Sequence, residues 1–240
     1  MCYYASISVG FKIIEDRFGV RFVRPDSYQP VYSVSAFTFP PLPVITSENP
    51  AEISFLTWGL IPSWVRDEET ALSIRQRGLN ARAETIFDKP MFRQSIISKR
   101  CLVLVDGFFE WRHVNGKTYP YRVRLIDHEP FALAGIWDRW LDPASDDEII
   151  TFSVVTTEAN DLMAQVHNTR KRMPVILPRE SEKRWLDTSL GAVEIELMLR
   201  PHDASQMEAY PVDRSILKLG FNTTDPSVLN RKEYKGLSPL

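Results

Sequence analysis

The sequence predicts an α+β fold whose β-sheet is largely antiparallel. Short apolar runs with period-2 alternation recur along the chain, and each is bounded by Gly, Pro or Asn. An Asn115-Gly116 pair stands between two such runs, which is the strongest short-range signal for a tight antiparallel hairpin. Helical patterns lie among the strand runs, and this combination favours an α+β architecture.

Five runs are predicted to form strands because they combine β-branched or aromatic residues with turn residues at their ends. They span residues 53–58, 101–105, 118–125, 131–136 and 149–156. The predicted hairpin turn is Val114-Asn115-Gly116-Lys117, immediately before the third run. It would join that run to a strand that precedes the turn.

Helices are fewer, and their starts are marked by capping residues or by proline. The predicted helices span residues 81–87, 91–98 after Pro90, 158–167 with Thr157 as N-cap, 181–185 and 193–199. The last forty residues show no clear pattern. No repeat, low-complexity tract or linker interrupts the chain, so residues 1–240 are expected to form one domain.

Length and composition restrict the class of protein. The chain has 240 residues, of which 44% are hydrophobic and 25% charged, as in an ordinary globular protein. Two distant cysteines, Cys2 and Cys101, predict neither a disulfide framework nor a zinc site. No apolar stretch approaches the roughly 18 residues of a membrane span, and Lys12 and Glu15 come too early for a secretory signal. We expect a cytoplasmic protein.

The net charge of −2 hides an uneven distribution of charged residues. Residues 75–100 hold seven basic and two acidic residues, and residues 166–185 hold six basic and two acidic ones. An acidic body with two basic segments suits a protein that binds a polyanion locally. Two solvated faces would explain the same pattern equally well.

Cys2 is the most informative single residue. Removal of Met1 would leave an α-amine and a thiol on the same residue, with ordinary pKa values of about 7.7–8.0 and about 8.5. Such a 1,2-aminothiol can condense with an aldehyde through its amine and then close through sulfur to a thiazolidine. If Met1 stays in place, the amine is blocked as an amide. A small residue chosen for start-codon processing is the structural alternative.

Five short segments, taken together, carry a family resemblance. They are Met1-Cys2, WGLIPSW at 58–64, LNARAET at 79–85, CLVLVDGFFEW at 101–111, and Val166-His167 followed by RMPVIL at 172–177. In this order they resemble the SRAP family, the SOS response-associated peptidases or abasic-site processing proteins. The resemblance spans residues 1–177, and its specificity comes from the five segments jointly.

The resemblance implies both a fold and an activity. The implied SRAP fold is a single domain with a barrel-like, largely antiparallel core and flanking helices. The implied activity is an abasic-site response to DNA damage in which the mature Cys2 traps the ring-opened aldehyde of an abasic site in single-stranded DNA as a thiazolidine. Removal of Met1 would be a self-processing peptidase step, and the DNA chemistry would be lyase-like. No cofactor, metal or membrane is implied, and we expect a monomer that associates with the nucleoid when bound to DNA.

The candidate catalytic residues are Cys2, Asn80, Glu110 and His167. Glu110 lies among aromatic residues, where a buried carboxylate needs a partner such as the α-ammonium of Cys2; it would shuttle protons in imine formation and in Met1 removal. His167 would protonate the sugar ring oxygen and so expose the aldehyde. Asn80 would orient the Cys2 thiol or amine, or hold a sugar hydroxyl. A surface position for Glu110 and a helix N-cap role for Asn80 are the structural alternatives.

Cations and aromatic residues in the same segments are candidates for DNA binding: Arg82, Trp58, Pro62, Trp64, Trp111 and Arg172. Arg82 would hold a phosphate through its planar guanidinium, unless it pairs with Glu84 or Asp88. The Trp-Pro-Trp arrangement in a predicted loop, and Trp111, would stack on bases without reading sequence. The remaining tryptophans and histidines are predicted to have only structural roles: Trp137, Trp140, Trp185, His113, His128 and His202.

Two departures from the family pattern bear on activity. Members commonly begin Met-Cys-Gly-Arg, whereas Tyr3 and Tyr4 follow Cys2 here, so a phosphate contact is lost and the backbone is crowded. The four residues 168–171 separate His167 from Arg172, a longer spacing than is common, so this loop should bulge and carry extra positive charge.

Two other function classes remain open. Amidotransferases with an N-terminal Cys nucleophile also begin Met-Cys, but they carry Gly at the third position and oxyanion-hole segments that have no counterpart here. A glutaminase assay would separate them. The third class is a noncatalytic single-strand-binding module, for which salt-sensitive binding without covalent trapping would be diagnostic.

Overall fold

The computed structural model describes residues 2–218 and 221–240 of the chain. In these residues the strands are β1 (Tyr4–Ile7), β2 (Arg21–Phe22), β3 (Val31–Ser35), β4 (Pro41–Thr46), β5 (Glu52–Trp58), β6 (Asn80–Arg82), β7 (Arg100–Val105), β8 (Gly107–Val114), β9 (Lys117–Leu125), β10 (Phe131–Leu141), β11 (Glu148–Glu158), β12 (Arg172–Pro174) and β13 (Met207–Pro211). The α-helices are α1 (Phe11–Phe18), α2 (Glu68–Arg75), α3 (Arg93–Ser98), α4 (Asp161–Val166), α5 (Arg179–Trp185) and α6 (Ala192–Met198). The predicted α+β class is confirmed.

Five strands close into a barrel. Antiparallel pairing runs from β5 through β4, β7 and β10 to β11, and a parallel pairing between β11 and β5 closes the ring, with Thr151 opposite Thr57 and Phe152 opposite Trp58. The barrel interior is filled by apolar side chains such as Val103 and Leu133. The barrel-like core that the family resemblance implied is therefore present.

A second sheet places the amino-terminal strand between two neighbours. Its order is β13-β9-β8-β1-β3, and β1 pairs antiparallel with both β8 and β3. The buried Asp106 carboxylate anchors the far end of β1, because it accepts hydrogen bonds from the Ser6 hydroxyl at 2.6 Å and from the Ser8 backbone N–H at 2.6 Å. This arrangement fixes the position of Cys2, which lies two residues before the strand.

The predicted hairpin is confirmed. Val114 at the end of β8 pairs with Lys117 at the start of β9, and Asn115 and Gly116 both have positive φ, at 50° and 72°. Positive φ at both central positions defines the hairpin turn that Asn-Gly favours. The five predicted strand runs lie within β5, β7, β9, β10 and β11.

Three of the predicted helices correspond to α3, α5 and α6, whereas two need correction. Residues 81–87 form no α-helix, because Ala81 pairs in parallel with Val155 of β11 and a single 3₁₀ turn follows. The helix expected at 158–167 is shorter, since β11 runs to Glu158 and the Asn160 side chain caps α4 by accepting the Met163 N–H at 2.9 Å. In both places long-range strand pairing outweighs local helix propensity.

Arg100 shows that part of the first basic segment is structural. Its side chain is fully buried and donates hydrogen bonds to the backbone carbonyls of Ile96, Ile97, Trp185 and Asp187. The guanidinium thus satisfies the carbonyls at the carboxyl ends of α3 and α5. Arg100 is therefore unavailable to a polyanion, contrary to the surface patch that the charge pattern suggested.

Removal of the Arg100 guanidinium should destabilise the protein. We expect Arg100→Met to lower the free energy of unfolding by about 3–5 kcal/mol, because it leaves several buried carbonyl groups without donors. Urea unfolding followed by circular dichroism measures the change. Arg93→Met, at an exposed arginine of the same segment, is the matched control and should shift the midpoint little. Equal midpoints for the two variants would contradict the structural role.

Candidate functional site

Cys2 is buried two residues before the start of β1. Its side chain has no exposed surface, and its Sγ lies 3.9 Å from the Tyr4 carbonyl oxygen. Burial, reinforced by the nearby Glu110 carboxylate, raises the pKa of the thiol well above its ordinary value. The sulfur is therefore a protonated thiol in this state. Met1, on whose removal the aminothiol chemistry depends, lies outside the described residues.

Asn80 holds the backbone of Cys2 rather than its thiol. The Asn80 Nδ2 donates a hydrogen bond to the Cys2 carbonyl oxygen at 2.9 Å. Asn80 is the first residue of β6, so the N-cap alternative is wrong. Within the described parts of the chain its Oδ1 is buried without a hydrogen-bond donor. An acceptor left in this state next to Cys2 is suited to a hydroxyl or amine of a substrate or of the mature terminus.

Glu110 and His167 meet beside Cys2. Glu110 lies on β8 with only 3% of its surface exposed, and its Oε2 is 3.7 Å from Nδ1 of His167, the residue that ends α4. Burial raises the pKa of Glu110 from 4.5 to about 7. The carboxyl group therefore exchanges its proton near neutral pH, and the surface alternative for Glu110 is wrong.

The ring nitrogens of His167 have different roles. Nδ1 lies 2.9 Å from the Arg172 carbonyl oxygen, which can only accept, so Nδ1 carries the hydrogen. Burial lowers the pKa of His167 to about 4, and the imidazole is therefore neutral at pH 7 with Nε2 as an acceptor. This differs from the proton donor expected from the sequence, because the protonated form is scarce at neutral pH.

A cavity of about 360 Å³ opens beside these groups. Glu110 and His167 line it together with aromatic side chains that contact each other in pairs with tilted rings. The rings of Tyr3 and Phe37 are 4.8 Å apart, and those of Tyr4 and Trp111 are 5.3 Å apart. Trp111 thus lines the same cavity as Glu110 and His167, and its stacking on a base stays a prediction. Tyr3 and Phe37 were missed as residues that line the cavity, although a tyrosine next to Cys2 was a usable signal.

The Trp58–Trp64 segment is mostly core. Trp58 has no exposed surface, stacks on Phe152 and donates from Nε1 to the Leu79 carbonyl at 2.8 Å. Pro62 is buried too. Neither can stack on a base, so their assignment to DNA binding is corrected: the end of β5 faces the barrel interior. Trp64 is 43% exposed but lines a different cavity, with Pro90 and Arg93.

The predicted core tryptophans Trp137, Trp140 and Trp185 are buried, which confirms their structural role. His113 was expected to have no role, yet it lies at the rim of the cavity that holds Glu110. His128 pairs with Glu208 at the surface, and His202 is buried and does not line this cavity. Only His113 among these three histidines therefore joins the site.

The two candidate phosphate-binding arginines differ in availability. Arg82 ends β6, is exposed and forms no ion pair within residues 2–218 and 221–240, so the structural alternative for it, an ion pair with Glu84 or Asp88, is not found. Arg172 pairs with Glu84 instead and donates to the Thr156 carbonyl at 2.7 Å. Its charge is therefore partly neutralised, and a phosphate would compete with Glu84.

Much of the second basic segment is likewise paired. Arg179 binds Asp127 and Glu129, and Arg184 binds Glu194. In the described residues, no group of three or more His, Cys, Asp or Glu side chains has the arrangement of a metal site. None of the helices described there has the length and apolar character that a bilayer crossing requires.

Comparisons with known proteins agree on one family. The family described as SOS response associated peptidase (SRAP) matches residues 1–219. Abasic site processing protein YoqW of Bacillus subtilis (strain 168) is 36% identical over 215 residues, covering 88% of this chain and 92% of that protein. Abasic site processing protein HMCES of Xenopus tropicalis is 26% identical over 243 residues, covering 89% of this chain and 71% of that protein.

A solved structure shares the fold closely. The crystal structure of a protein from Bacteroides thetaiotaomicron is 42% identical, covers 97% of this chain and 100% of its own, and superposes with a TM-score of 0.91. A protein from Bordetella bronchiseptica, 25% identical, covers 89% of this chain and 100% of its own with a TM-score of 0.76. The barrel and the second sheet are thus an arrangement seen in experimental structures.

Proposed function

Because the chain belongs to the SOS response associated peptidase (SRAP) family, we propose that it processes abasic sites by joining Cys2 covalently to single-stranded DNA. The observation that carries the proposal is that the Glu110 carboxyl group meets His167 at a cavity and lies close enough to the buried Cys2 thiol for its charge to raise the pKa of that thiol. An aminothiol, a carboxyl group that titrates near neutral pH and a neutral imidazole are the groups that condensation with an aldehyde requires.

The proposed reaction has two bond-forming steps after Met1 has been removed by hydrolysis of its peptide bond. The α-amine of Cys2 adds to the aldehyde carbon of the open sugar, and loss of the carbonyl oxygen as water leaves an imine. The thiol then adds across the C=N bond, its sulfur bonding to carbon and its proton ending on nitrogen. One water is released, and the product is a five-membered thiazolidine. No oxidant or cofactor enters this balance.

Each polar residue has a role that follows from its protonation state. The protonated Glu110 carboxyl would give a proton to the departing hydroxyl, and its carboxylate form would take one from the thiol or amine. The Nε2 of His167 would accept a hydrogen bond from a sugar hydroxyl. Asn80 would keep Cys2 in place through its carbonyl group. The same Glu110 would serve as proton carrier in the removal of Met1.

The protein would bind the DNA strand mainly through contacts that do not depend on the base sequence. Trp111, Tyr3 and Phe37 offer ring faces at the cavity, where base stacking contributes about 1–3 kcal/mol per base. Arg82 would bind a flanking phosphate. The aldehyde supplies the specificity, because undamaged DNA has none.

Intact mass spectrometry tests the proposal. Incubation with an abasic single strand should add the mass of the strand less one water, starting from protein that lacks Met1. A strand with a tetrahydrofuran analogue, which has no aldehyde, should add nothing. Binding without any mass increase would favour the noncatalytic module, and release of ammonia from glutamine would favour an amidotransferase; either result would overturn the thiazolidine chemistry.

A further inference from the structure

The loop between α4 and β12 is tied to the strand that carries Glu110. Asn168, directly after His167, uses both ends of its side-chain amide on one residue of β8. Its Oδ1 accepts the His113 N–H at 3.0 Å, and its Nδ2 donates to the His113 carbonyl at 2.8 Å. The amide thus continues the strand pairing of β8 as a backbone unit would, and it sets where the loop lies relative to the cavity.

The other end of the loop is also fixed. Lys171 has a positive φ of 49°, its N–H donates to the His167 carbonyl at 2.8 Å, and its carbonyl accepts the Ala159 N–H at 3.0 Å. Only Thr169 and Arg170 lie between the two tied residues. A backbone held on both sides of so short a segment leaves Arg170 few alternative positions.

Arg170 points its charge at the mouth of the cavity. It is exposed, it lines the same cavity as Tyr3 and His167, and within the described residues its guanidinium takes part in no ion pair. Burial raises the pKa of Tyr3, whereas the charges of Arg170 and Arg82 both act in the opposite direction. The two arginines therefore flank Tyr3 closely enough for their charges to act on its ring hydroxyl.

We propose that Arg170 binds a backbone phosphate of the single strand at the mouth of the cavity, and that Asn168 is the positioning residue that holds it there. The inference rests on the proposed function and adds a phosphate contact from the loop after His167. Arg170 fits this role better than Arg172 does, because Glu84 already engages the Arg172 guanidinium. A planar guanidinium that no acidic side chain occupies can donate hydrogen bonds to two phosphate oxygens.

The salt dependence of DNA binding tests this contact. Binding of the protein to a strand with the tetrahydrofuran analogue is measured by fluorescence anisotropy at several salt concentrations. Each phosphate contact contributes about 0.7 to the slope of log affinity against log salt on single strands. We expect Arg170→Ala to reduce that slope by about 0.7 and to weaken binding about tenfold at low salt. Arg24→Ala, at an exposed arginine outside the cavity, is the matched control and should change neither.

A double-mutant comparison tests the positioning role of Asn168. Asn168→Ala should weaken binding by itself, and Arg170→Ala should then cost clearly less than it does in the unaltered protein. A purely structural role for Asn168 would leave the two effects additive and the salt slope unchanged. Additivity, or an unchanged slope in Arg170→Ala, overturns the inference. If the slope stays unchanged while the abasic strand still forms the covalent product, only this inference fails; absence of the product is a failure of the proposed function.

Discussion

Cys2→Ala should abolish the covalent product with an abasic single strand. The substitution removes the sulfur that would close the ring, so any imine formed by the α-amine stays open to hydrolysis. Denaturing electrophoresis after heating, together with intact mass, measures the loss. Noncovalent binding to the tetrahydrofuran analogue should be close to that of the unaltered protein, because Cys2 contributes no exposed surface.

The second cysteine provides a matched control for this result. Cys101 is also fully buried, but it lies on β7 in the barrel, and its Sγ would be only 2.7 Å from a Cβ placed on Gly135. Cys101→Ala makes the same chemical change away from the cavity and should leave the product yield intact. A heat-stable product from Cys2→Ala, or its loss in a folded Cys101→Ala protein, would refute the assigned nucleophile.

Glu110→Gln should slow covalent capture about 10²- to 10⁴-fold. The amide keeps the size of the side chain but cannot carry a proton between donor and acceptor. Because the carboxyl titrates near pH 7, the unaltered protein should lose rate as pH rises above 7 and the protonated form disappears. That loss should be missing from the variant, and single-turnover rates between pH 5 and 9, a range of about two units on either side, measure it.

Glu110→Gln should also raise the free energy of unfolding, so its effect on the rate of capture can be separated from any effect on stability. The pKa of Glu110 is higher in the folded chain than its ordinary value of 4.5, so ionisation opposes folding. The contribution of the protonated Glu110 to the free energy of unfolding is fully present below pH 4.5, and it is lost as the pH rises through about 7. At pH 8 we therefore expect Glu110→Gln to unfold with roughly 1–3 kcal/mol more free energy. Glu52→Gln, at an exposed glutamate, should alter neither stability nor rate.

A Glu110→Gln protein that is as fast as the unaltered one would contradict the proton-carrier role. A variant that is slow because it is unfolded would be recognised by its lower unfolding midpoint. The two measurements together thus leave a single interpretation for each outcome.

Local signals predicted the elements whose pairing partners are near in sequence. Asn115-Gly116 identified the β8–β9 hairpin because positive φ at two successive residues is a local requirement. Four of the five period-2 runs correspond to barrel strands, β5, β7, β10 and β11, because each has to present an apolar face to the interior. The fifth run forms β9 of the second sheet, and the barrel strand β4 was not predicted. Glu110 was recognised by its aromatic neighbours along the strand, and its burial agrees with that reasoning.

The errors arose where the local structure depends on contacts between residues that are far apart in the sequence. Trp58 was assigned to base stacking, yet the parallel pairing of β5 with β11 places it inside the barrel. Residues 81–87 were expected to be helical, but β6 finds its partner more than seventy residues further along. The pairing of Arg172 with Glu84 was likewise not foreseen, because it depends on β12 and β6 both pairing with β11, which no local pattern reveals.

The carboxyl-terminal region escaped prediction for a related reason. Beyond β13, the described residues follow 3₁₀ turns and irregular backbone, with apolar residues spaced too widely for a helix or strand pattern. Val212, Ile216 and Val228 nevertheless pack on the outer face of β8 and β1 through Phe109 and Tyr4. The conformation of this carboxyl-terminal region therefore depends on the sheet against which it packs.

Cys2 lies two residues before β1, a strand that is paired on both sides, and this position has a mechanical consequence. A DNA strand joined there, when dragged by a translocating enzyme, would pull β1 along its own length. Ladder hydrogen bonds lie across that direction, so those to β8 and β3 would be loaded in shear together rather than opened one after another. The hydrogen bonds that Asp106 accepts from Ser6 and Ser8, at the other end of β1, would also resist this pull and help to keep the protein folded.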